Sequence, residues 1–248
     1  MQLDTLWEKQ AYLNIISHDR PQLWCQPLDS LAEQTPFLHS LLNAEEHRQA
    51  GKFAFLPDQQ RYIVSRGFLR YLLSFYLHQP AEDLQFTYNP YGKPQVISEK
   101  NIYFNLSHAH NVLLIGINHG KSIGVDVEYE RTDIVLPSIA QRFFTEHEYR
   151  QLIAMPAHEQ KTLFYFIWTR KEAVLKASGR GLSHPLEELE VLSGDSCGLS
   201  AENQLFAIRT VPIAAAYYAA IACAGTLDAT DIDYFNFTGN MRRNTLSL

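Results

Sequence analysis

The sequence lacks the features that mark several large classes of protein. Only three of its 248 residues are cysteines (Cys25, Cys197 and Cys223), and no two of them form a C-x-x-C pair. This spacing supports neither a zinc ribbon nor a disulfide framework, and it indicates three reduced thiols. Basic residues are also in deficit, because 21 Lys and Arg face 27 Asp and Glu and give a formal net charge of −6. That charge argues against a protein that binds nucleic acid non-specifically.

A targeting segment and a membrane span are missing as well. The first ten residues, MQLDTLWEKQ, contain no basic segment followed by an apolar run and do not resemble a signal peptide. The longest run of apolar and small residues, 211–225, is shorter than the about 20 residues that cross a bilayer. A buried strand explains this run better. We therefore expect a cytoplasmic protein with no membrane partner.

The sequence also has none of the common motifs of nucleotide-binding and hydrolytic enzymes. It contains no G-x-x-x-x-G-K-[ST] phosphate loop, no G-x-G-x-x-G fingerprint and no G-x-S-x-G nucleophile elbow. The stretches HEYRQ (147–151) and HEQKT (158–162) do not have the H-E-x-x-H spacing of a zinc protease. Any chemistry must therefore come from a less common arrangement of residues.

What the sequence does contain is ample material for a core, with 46% hydrophobic and 12% aromatic residues. Apolar periodicity and capping residues predict helices at 43–55, 58–78, 136–155 and 159–179. Alternation and turn residues predict a hairpin at 102–118 and strands at 122–128, 189–194, 204–211 and 214–224. This order of elements predicts an α+β protein.

Two helical segments resemble each other. RYIVSRGFLRYLL (61–73) has the pattern of YFIWTRKEAVLKA (165–177), and hairpin-like strands follow both. Either chance or a duplication explains so faint a similarity. A duplication predicts two similar lobes related by a pseudo-twofold axis, each with a long helix packed on a small, mostly antiparallel sheet. We place these lobes at residues 1–120 and 121–248, and expect a monomer with its ligand between them.

The segment GVDVE (124–128) raises the first question of function. Asp126 and Glu128 lie two residues apart on a predicted strand, so their carboxylates point to the same face. A solvated strand face is the simplest interpretation of this pair. Gly124 lies on that face as well and, because it has no side chain, leaves room for a bulky anion to approach.

A second motif, WTRKEAVLK (168–176), lies on a predicted helix. Trp168, Glu172 and Lys176 recur every four residues and share one helix face. Taken alone, Glu172 and Lys176 are an ordinary surface ion pair. Taken with Asp126 and Glu128, Glu172 completes a strongly negative, all-oxygen set of three carboxylates that suits Mg²⁺ and the phosphates of a substrate.

Basic residues that could hold those phosphates lie at several places in the sequence. They are Arg48 and Lys52 on the first helix, Lys93 in a Gly-Lys-Pro loop, His108 near a strand end, and Lys171 and Lys176 beside Glu172. Each of them alone is more simply interpreted as a solvated side chain.

Five segments together point to a known family. They are GVDVE (124–128), WTRKEAVLKASGRGL (168–182), YGKP (91–94), FNLSHA (104–109) and RFFTEHEY (142–149). In this order and spacing they resemble the 4′-phosphopantetheinyl transferases, in particular the larger, two-lobed, monomeric Sfp type. The resemblance covers residues 43–185, and the two signature motifs are far more specific together than either is alone.

The resemblance implies a reaction and a set of ligands. The phosphopantetheine arm of coenzyme A passes to a serine hydroxyl of an apo acyl or peptidyl carrier protein, and 3′,5′-ADP leaves. Asp126, Glu128 and Glu172 match the positions that hold Mg²⁺ against the pyrophosphate, and Lys176 matches the lysine that contacts the phosphates. Glu148 matches an acidic position that assists near the metal.

Coenzyme A contacts are implied at further positions. Those are Tyr91, Gly92, Lys93 and Pro94 in the loop against the nucleotide, Ser107 and His108 at the adenosine end, and Lys171 beside the signature glutamate. The family often has a basic residue where this chain has Gln49, so we assign its role to the neighbouring Arg48 and Lys52.

Chemical reasoning agrees with this mechanism. A phosphoryl centre is best served by positioning and electrostatic stabilisation, and a serine hydroxyl needs a base. We expect Glu172, or a metal-bound water that it orients, to be that base, Lys176 to steady the leaving phosphate and Asp126 to hold the metal. A Mg²⁺-dependent hydrolase of a nucleotide pyrophosphate and a non-catalytic module that binds coenzyme A or a carrier protein are the alternatives. Release of 3′,5′-ADP without an acceptor would favour the hydrolase.

Overall fold

A computed structural model describes residues 1–4, 6–10, 20–132, 136–181, 185–199, 204–227 and 231–241. The first part of the chain forms β1 (Glu8–Gln10), β2 (Gln22–Pro27), α1 (Thr35–Ser40), α2 (Ala44–Ala50), α3 (Leu56–Leu77), β3 (Phe86–Tyr88), β4 (Pro94–Val96), β5 (Ile102–Ala109) and β6 (Val112–His119). The second part forms β7 (Ile123–Tyr129), α4 (Leu136–Phe143), α5 (Glu146–Ala154), α6 (Ala157–Ser178), β8 (Ser196–Leu199), β9 (Gln204–Thr210), β10 (Tyr217–Ala224) and β11 (Asp233–Phe237). None of the described helices is both long and apolar enough to cross a membrane.

The strands form two larger sheets and one small hairpin. The first sheet has the strand order β1-β11-β2-β6-β5, the second has the order β7-β10-β9-β8, and β3 pairs only with β4. All pairings are antiparallel except those of β11 with β1 and β2. The predicted α+β fold with mostly antiparallel sheets is therefore confirmed. The assignment of 121–248 to the second lobe is corrected at β11, which follows the second sheet in sequence but joins the first.

The described residues form four layers with three large apolar clusters between them, and a small fourth cluster contains Leu42, Ala50 and Ile63. One cluster lies between α3 and the first sheet, and another lies between α6 and the second sheet. The third joins the two sheets face to face, with Leu23 and Leu114 from the first and Val125 and Ile221 from the second, all fully buried. Each sheet is thus covered on both faces, which explains why β6 is almost continuously apolar in sequence and why the first five residues of β7 are buried. The three cysteines are free and buried in these layers.

The two lobes share a topology, and each also contains a buried ion pair between a capping-box glutamate and the long helix, which we call the brace. Helices α3 and α6 are both 22 residues long, and α2 and α5 both begin with a capping box whose third residue is a glutamate. In the first lobe that glutamate is Glu46, which accepts hydrogen bonds from Arg66 Nε at 2.7 Å and Arg70 Nε at 2.6 Å. Arg70 also donates to the carbonyl oxygens of Ala81 and Leu84. These repeated contacts support the predicted duplication.

The equivalent brace in the second lobe corrects two predictions. Lys171 is fully buried and donates to Glu148 Oε2 at 2.7 Å and to the carbonyl oxygens of Leu186 and Leu189. All three of its ammonium hydrogens therefore have acceptors inside the protein, and Lys171 does not face a ligand. Glu148 is equally buried and uses both oxygens on Lys171, on Val191 N and on its own capping box. It stabilises the fold and does not belong to a metal site.

Two predicted elements differ from the structure for local reasons. The predicted helix 136–155 is two helices, because α4 ends at Phe143 and Thr145, which is extended, caps α5 with its side chain. No strand forms at 189–194. There, Val191 donates its N–H to Glu148, and its carbonyl accepts from Arg170 Nε at 2.9 Å. Buried side chains satisfy this backbone, so it needs no sheet partner.

Candidate active site

The candidate site lies where the edge strands of the two sheets meet. Strand β5 ends the first sheet and β7 ends the second. Two side chains of β5 reach across to β7: Asn105 Oδ1 accepts from Val125 N at 2.9 Å, and Ser107 Oγ donates to Asp126 Oδ1 at 3.0 Å. The junction is therefore closed by side chains at a place where the two backbones do not pair.

Gly124 brings α6 against β7 just beside this junction. A Cβ atom at residue 124 would lie 2.1 Å from the carbonyl oxygen of Ala173 and 2.2 Å from the N of Ala177. The space that the sequence analysis assigned to a bulky anion is occupied by the backbone of α6, so that prediction was wrong. Gly124 instead permits a strand and a helix to touch, which places the helix side chains over Asp126.

Three α6 side chains face β7, as their four-residue spacing predicts. Lys176 Nζ donates to Asp126 Oδ1 at 2.6 Å and to Ser107 Oγ at 3.0 Å. One turn earlier, Glu172 is close enough for the charge of Asp126 to affect its ionisation, and Trp168 is close enough to Glu128 to oppose the rise in its pKa. Asp126, Glu128, Glu172 and Lys176 thus form a single cluster, which we call the carboxylate cluster.

The carboxylate cluster has more negative than positive charge, with three carboxylates and one ammonium. Burial and the nearby charge of Asp126 raise the pKa of Glu128 to about 7. The same two causes raise the pKa of Glu172, and Lys176 partly opposes them. Asp126 Oδ2 is buried and has no hydrogen-bond partner among the described residues. An additional cation would offset the repulsion among the three carboxylates and would give Asp126 Oδ2 a partner.

The donor set suits a hard divalent cation, although it is not assembled as a cage. Within the described ranges, no three His, Cys, Asp or Glu side chains converge tightly enough to chelate a metal ion. Mg²⁺ needs only one or two protein carboxylates, however, because it retains waters and binds substrate phosphates. The unpartnered Asp126 Oδ2 and the acids of raised pKa beside it fit that mode of binding.

A basic cavity of about 650 Å³ lies on the other face of β5. Three of the residues predicted to bind the ligand line it: Arg48, Lys52 and His108. Desolvation and the positive charges of Arg61 and Lys176 lower the pKa of His108. Since His108 directly follows Ser107 on β5, this basic cavity and the carboxylate cluster are separated by the thickness of one strand.

Two residues in the basic cavity were missed by the sequence analysis. Arg66 lies 4.5 Å above the ring of Phe86 while its Nε pairs with Glu46. Ser65 is buried, and its Oγ has no hydrogen-bond partner among the described residues. The signal was present in RYIVSRGFLRYLL, where a Ser-Arg pair interrupts an otherwise apolar helix centre.

The Gly-Lys-Pro loop does not line the basic cavity. Lys93 and Pro94 lie at a second cavity of about 330 Å³, next to Ser178 and Gly179. Lys93 Nζ points inward and donates to the carbonyl oxygens of Ile123 at 3.0 Å and Ala177 at 3.1 Å. Burial lowers the pKa of Lys93 to about 8. Tyr91 is exposed and Gly92 has a φ of +86°, and a nucleotide contact for Tyr91, Gly92 and Pro94 stays a prediction.

Ser107 lies beside the carboxylate cluster, and its contact with the adenosine end of the ligand stays a prediction. Because neighbouring residues of a strand face opposite sides, His108 enters the basic cavity while Ser107 contacts Asp126 and Lys176. Ser107 therefore belongs to the surroundings of the carboxylate cluster.

Comparisons with known proteins now bear on this arrangement. A sequence model of the 4′-phosphopantetheinyl transferase superfamily matches residues 122–222, and a model of the N-terminal region of 4′-phosphopantetheinyl transferases matches 29–118. The 4′-phosphopantetheinyl transferase HetI of Nostoc sp. is 37% identical over 74% of this chain and 78% of its own length. This chain belongs to the 4′-phosphopantetheinyl transferase superfamily. The resemblance in the sequence is thereby confirmed.

Other members of the superfamily are similar over nearly as much of the chain. The 4′-phosphopantetheinyl transferase ffp of Bacillus subtilis is 32% identical over 68% of this chain and 75% of its own length. The 4′-phosphopantetheinyl transferase Sfp of Bacillus subtilis is 30% identical over 64% of this chain and 70% of its own length. The superfamily match at 122–222 contains β7 and α6, which carry the whole carboxylate cluster.

Proposed function

We propose that this protein transfers the phosphopantetheine arm of coenzyme A to a serine hydroxyl of an apo acyl or peptidyl carrier protein and releases 3′,5′-ADP. The observation that carries the proposal is the placement of two unlike sites on the two faces of β5. The basic cavity suits the phosphorylated nucleotide end of coenzyme A, and the carboxylate cluster suits the phosphoryl centre. Family membership and the names of its relatives support the same activity.

The basic cavity is the seat that we propose for the nucleotide of coenzyme A. Its Arg48 and Lys52 supply positive charge in a protein whose net charge is −6. The unpartnered Ser65 hydroxyl and the Arg66 guanidinium offer hydrogen-bond donors deeper inside. An anion bound there would raise the lowered pKa of His108, so the imidazole would take up a proton on binding.

Mg²⁺ would be held by Asp126, Glu128 and Glu172. Asp126 Oδ2 is the free acceptor of the set, and Glu128 and Glu172 would become fully ionised beside the ion. When bound, the ion would supply neutralising charge for the pyrophosphate and for the leaving 5′-phosphate of 3′,5′-ADP.

In the chemical step, the carrier serine oxygen attacks the phosphorus that bears the pantetheine arm. The new bond joins the serine oxygen to that phosphorus, and the pyrophosphate bond to 3′,5′-ADP breaks. We assign the removal of the serine proton to Glu172, whose carboxylate lies beside Asp126 in the carboxylate cluster. Lys176 places a positive charge beside the leaving phosphate, and Ser107 holds its ammonium in place.

Product analysis with and without an acceptor tests the proposal. Coenzyme A and Mg²⁺ are incubated with the protein, and 3′,5′-ADP is measured in the presence and absence of an apo carrier protein. We expect release only when the carrier is present, because the nucleophile is the carrier serine. Equal release without a carrier would establish a pyrophosphate hydrolase instead. Binding of coenzyme A with no release in either case would indicate a non-catalytic module.

The remaining predictions about the protein are also part of this proposal. We infer that it works as a monomer in the cytoplasm, because the two lobes together contribute both sites within one chain. Light scattering at working concentration, with and without coenzyme A, is the direct measurement. A dimer whose dissociation abolishes transfer would contradict the monomeric mechanism.

A further inference from the structure

The hairpin of β3 and β4 extends from the first lobe and contacts the end of α6 in the second lobe. Asn89 Nδ2 donates to the carbonyl oxygen of Gly179 at 2.6 Å. Lys93 Nζ donates to the carbonyl oxygens of Ala177 and Ile123. These contacts, which we call the clasp, join three backbone carbonyls of the second lobe to two side chains of the first, Asn89 and Lys93.

The clasp is built from a closed turn, so its donors are held in place. Asn89 Oδ1 accepts from the N–H groups of Tyr91 and Lys93, and Asn89 and Lys93 also pair through their backbones at 3.0 Å. On the receiving side, Gly179 has a φ of +74° and no room for a side chain. A Cβ atom there would lie 2.8 Å from Asn89 Nδ2 and 3.2 Å from Lys93 Cδ.

The acceptors of the clasp are next to the groups that perform the proposed chemistry. Ala177 directly follows Lys176, and Ile123 lies three residues before Asp126 on β7. The last carbonyl oxygens of a helix have no partner within it, and a cation near them is favoured by the helix dipole. The clasp satisfies two such oxygens at the end of α6 and ties that end to β7.

The same hairpin forms a wall of the basic cavity. Phe86 and Tyr88 of β3 line it, and Tyr88 lies directly before the clasp residue Asn89. The hairpin therefore joins the proposed seat of the nucleotide to the helix that carries Glu172 and Lys176. A side chain that only contacted the ligand would need neither the inward direction of Lys93 nor its two carbonyl acceptors.

We propose that Asn89 and Lys93 are positioning residues, which hold the end of α6 against β7 and so place Lys176 and Glu172 for phosphoryl transfer. Lys93 acts through these two backbone elements and not through contact with coenzyme A. The proposal deepens the proposed function and depends on it for its kinetic consequence.

Kinetics and binding of matched variants test the clasp. In Lys93→Met the hydrogen bonds are lost, and a misplaced catalytic helix should lower kcat by about tenfold to a hundredfold. The Kd for 3′,5′-ADP should stay within about twofold, because the side chain does not reach the basic cavity. Asn89→Ala removes the other donor of the clasp. It should also lower kcat and leave the Kd for 3′,5′-ADP within about twofold of the wild-type value.

Lys100→Met is the matched control. Lys100 also donates to one backbone carbonyl, that of Tyr76 at 3.0 Å, but this bond stays within the first lobe. We expect both kcat and Kd to remain at wild-type values. Weaker binding of 3′,5′-ADP by Lys93→Met, with or without a fall in kcat, would overturn the proposal and make Lys93 a ligand contact. Unchanged kcat and Kd in both clasp variants would overturn it as well.

Hydrogen exchange supplies a readout that needs no activity. In the unliganded full-length protein, both clasp variants should speed amide exchange in the last turn of α6, while Lys100→Met should not. If the wild type transferred nothing to any carrier, the proposed function would fail, and exchange would still decide whether the clasp holds α6. Unaltered exchange at residues 174–179 in both variants would contradict the clasp itself.

Discussion

The two lobes contain the same buried ion pair and differ where the long helix packs against the first strand of the sheet. In each, a capping-box glutamate pairs with a buried cation of the long helix, and that cation also bonds two carbonyl oxygens of a following turn. We call this contact between the long helix and the first strand the seam, and its charge differs between the lobes. In the first lobe it is neutral, because Trp24 Nε1 donates to the hydroxyl of Tyr76 at 2.9 Å within the apolar cluster.

In the second lobe the same seam carries charge. Gly124 brings the helix close to the strand, and Asp126 and Glu128 face Lys176 and Trp168. The comparison teaches which buried charges serve the fold and which serve chemistry. Glu148 and Lys171 are fully buried and satisfied, as are Glu46 and Arg70 apart from one guanidinium nitrogen, whereas Asp126 keeps a free oxygen. An unsatisfied acid beside others of raised pKa is the mark of a functional site.

The largest expected effect is on the seam of the second lobe. Glu172→Gln keeps the size of the side chain but removes the proposed base, so kcat should fall by about 10²–10⁴-fold. Steady-state kinetics with an apo carrier measures the change, and thermal unfolding should show that the variant still folds. Retention of more than a tenth of wild-type kcat would transfer the role of base to another group.

The next effect should be equal in the two lobes. Lys171→Met in the second lobe, and Arg66→Met combined with Arg70→Met in the first, each leave a buried glutamate without a cation, which costs about 3–5 kcal/mol of unfolding free energy. Urea unfolding measures both. Arg150→Met is the control, because its ion pair with Glu146 is exposed and should change stability by less than about 1 kcal/mol. A loss in only one of the two lobes would break the comparison between the braces.

A smaller effect is expected from the close approach of α6 to β7. Gly124→Ala forces apart the helix and the strand and should cost about 1–3 kcal/mol of stability, together with much of the activity. Gly198→Ala is the matched control, because a Cβ atom there has no atom within 4 Å. Equal stability of the two variants would mean that the close packing at Gly124 does not hold the seam together.

The smallest expected effect is a pH dependence of the free energy of unfolding of the metal-free protein. Folding raises the pKa of Glu128 from 4.5 to about 7. Between these pH values the folded state therefore binds a proton that the unfolded state has lost. Stability is therefore greatest at the acidic end of this window and falls as pH rises towards 7. Glu128→Gln should flatten this slope in urea unfolding at pH 5 and pH 8, and Mg²⁺ should restore stability at pH 8. An unchanged slope in Glu128→Gln would contradict the raised pKa.

The sequence was most informative where local rules decide the structure. The four-residue spacing of Trp168, Glu172 and Lys176 and the alternation around Asp126 correctly predicted which faces meet. Roles that depend on tertiary contacts could not be read in the same way. Gly124 has the same sequence signal whether it admits a ligand or a helix, and only the position of Ala173 decides between them.

Lys171 and Lys93 show the same limit for charged residues. A lysine beside a signature glutamate, or in a turn of the ligand loop, resembles a phosphate ligand in sequence. Both are turned inward by backbone carbonyls that lie far away along the chain or in another lobe. The crossing of β11 into the first sheet was missed for a similar reason, because strand pairing at a separation of about 200 residues leaves no local pattern.

The most direct test of the central claim is the intact mass of an apo carrier protein after incubation with coenzyme A and Mg²⁺. The carboxylate cluster predicts that the wild type adds one phosphopantetheine to the carrier serine, and that Asp126→Asn, which removes the unpartnered acid, adds little or none in the same time. A carrier mass that stays unchanged with the wild type across several apo carriers would contradict the account, and so would equal modification by Asp126→Asn.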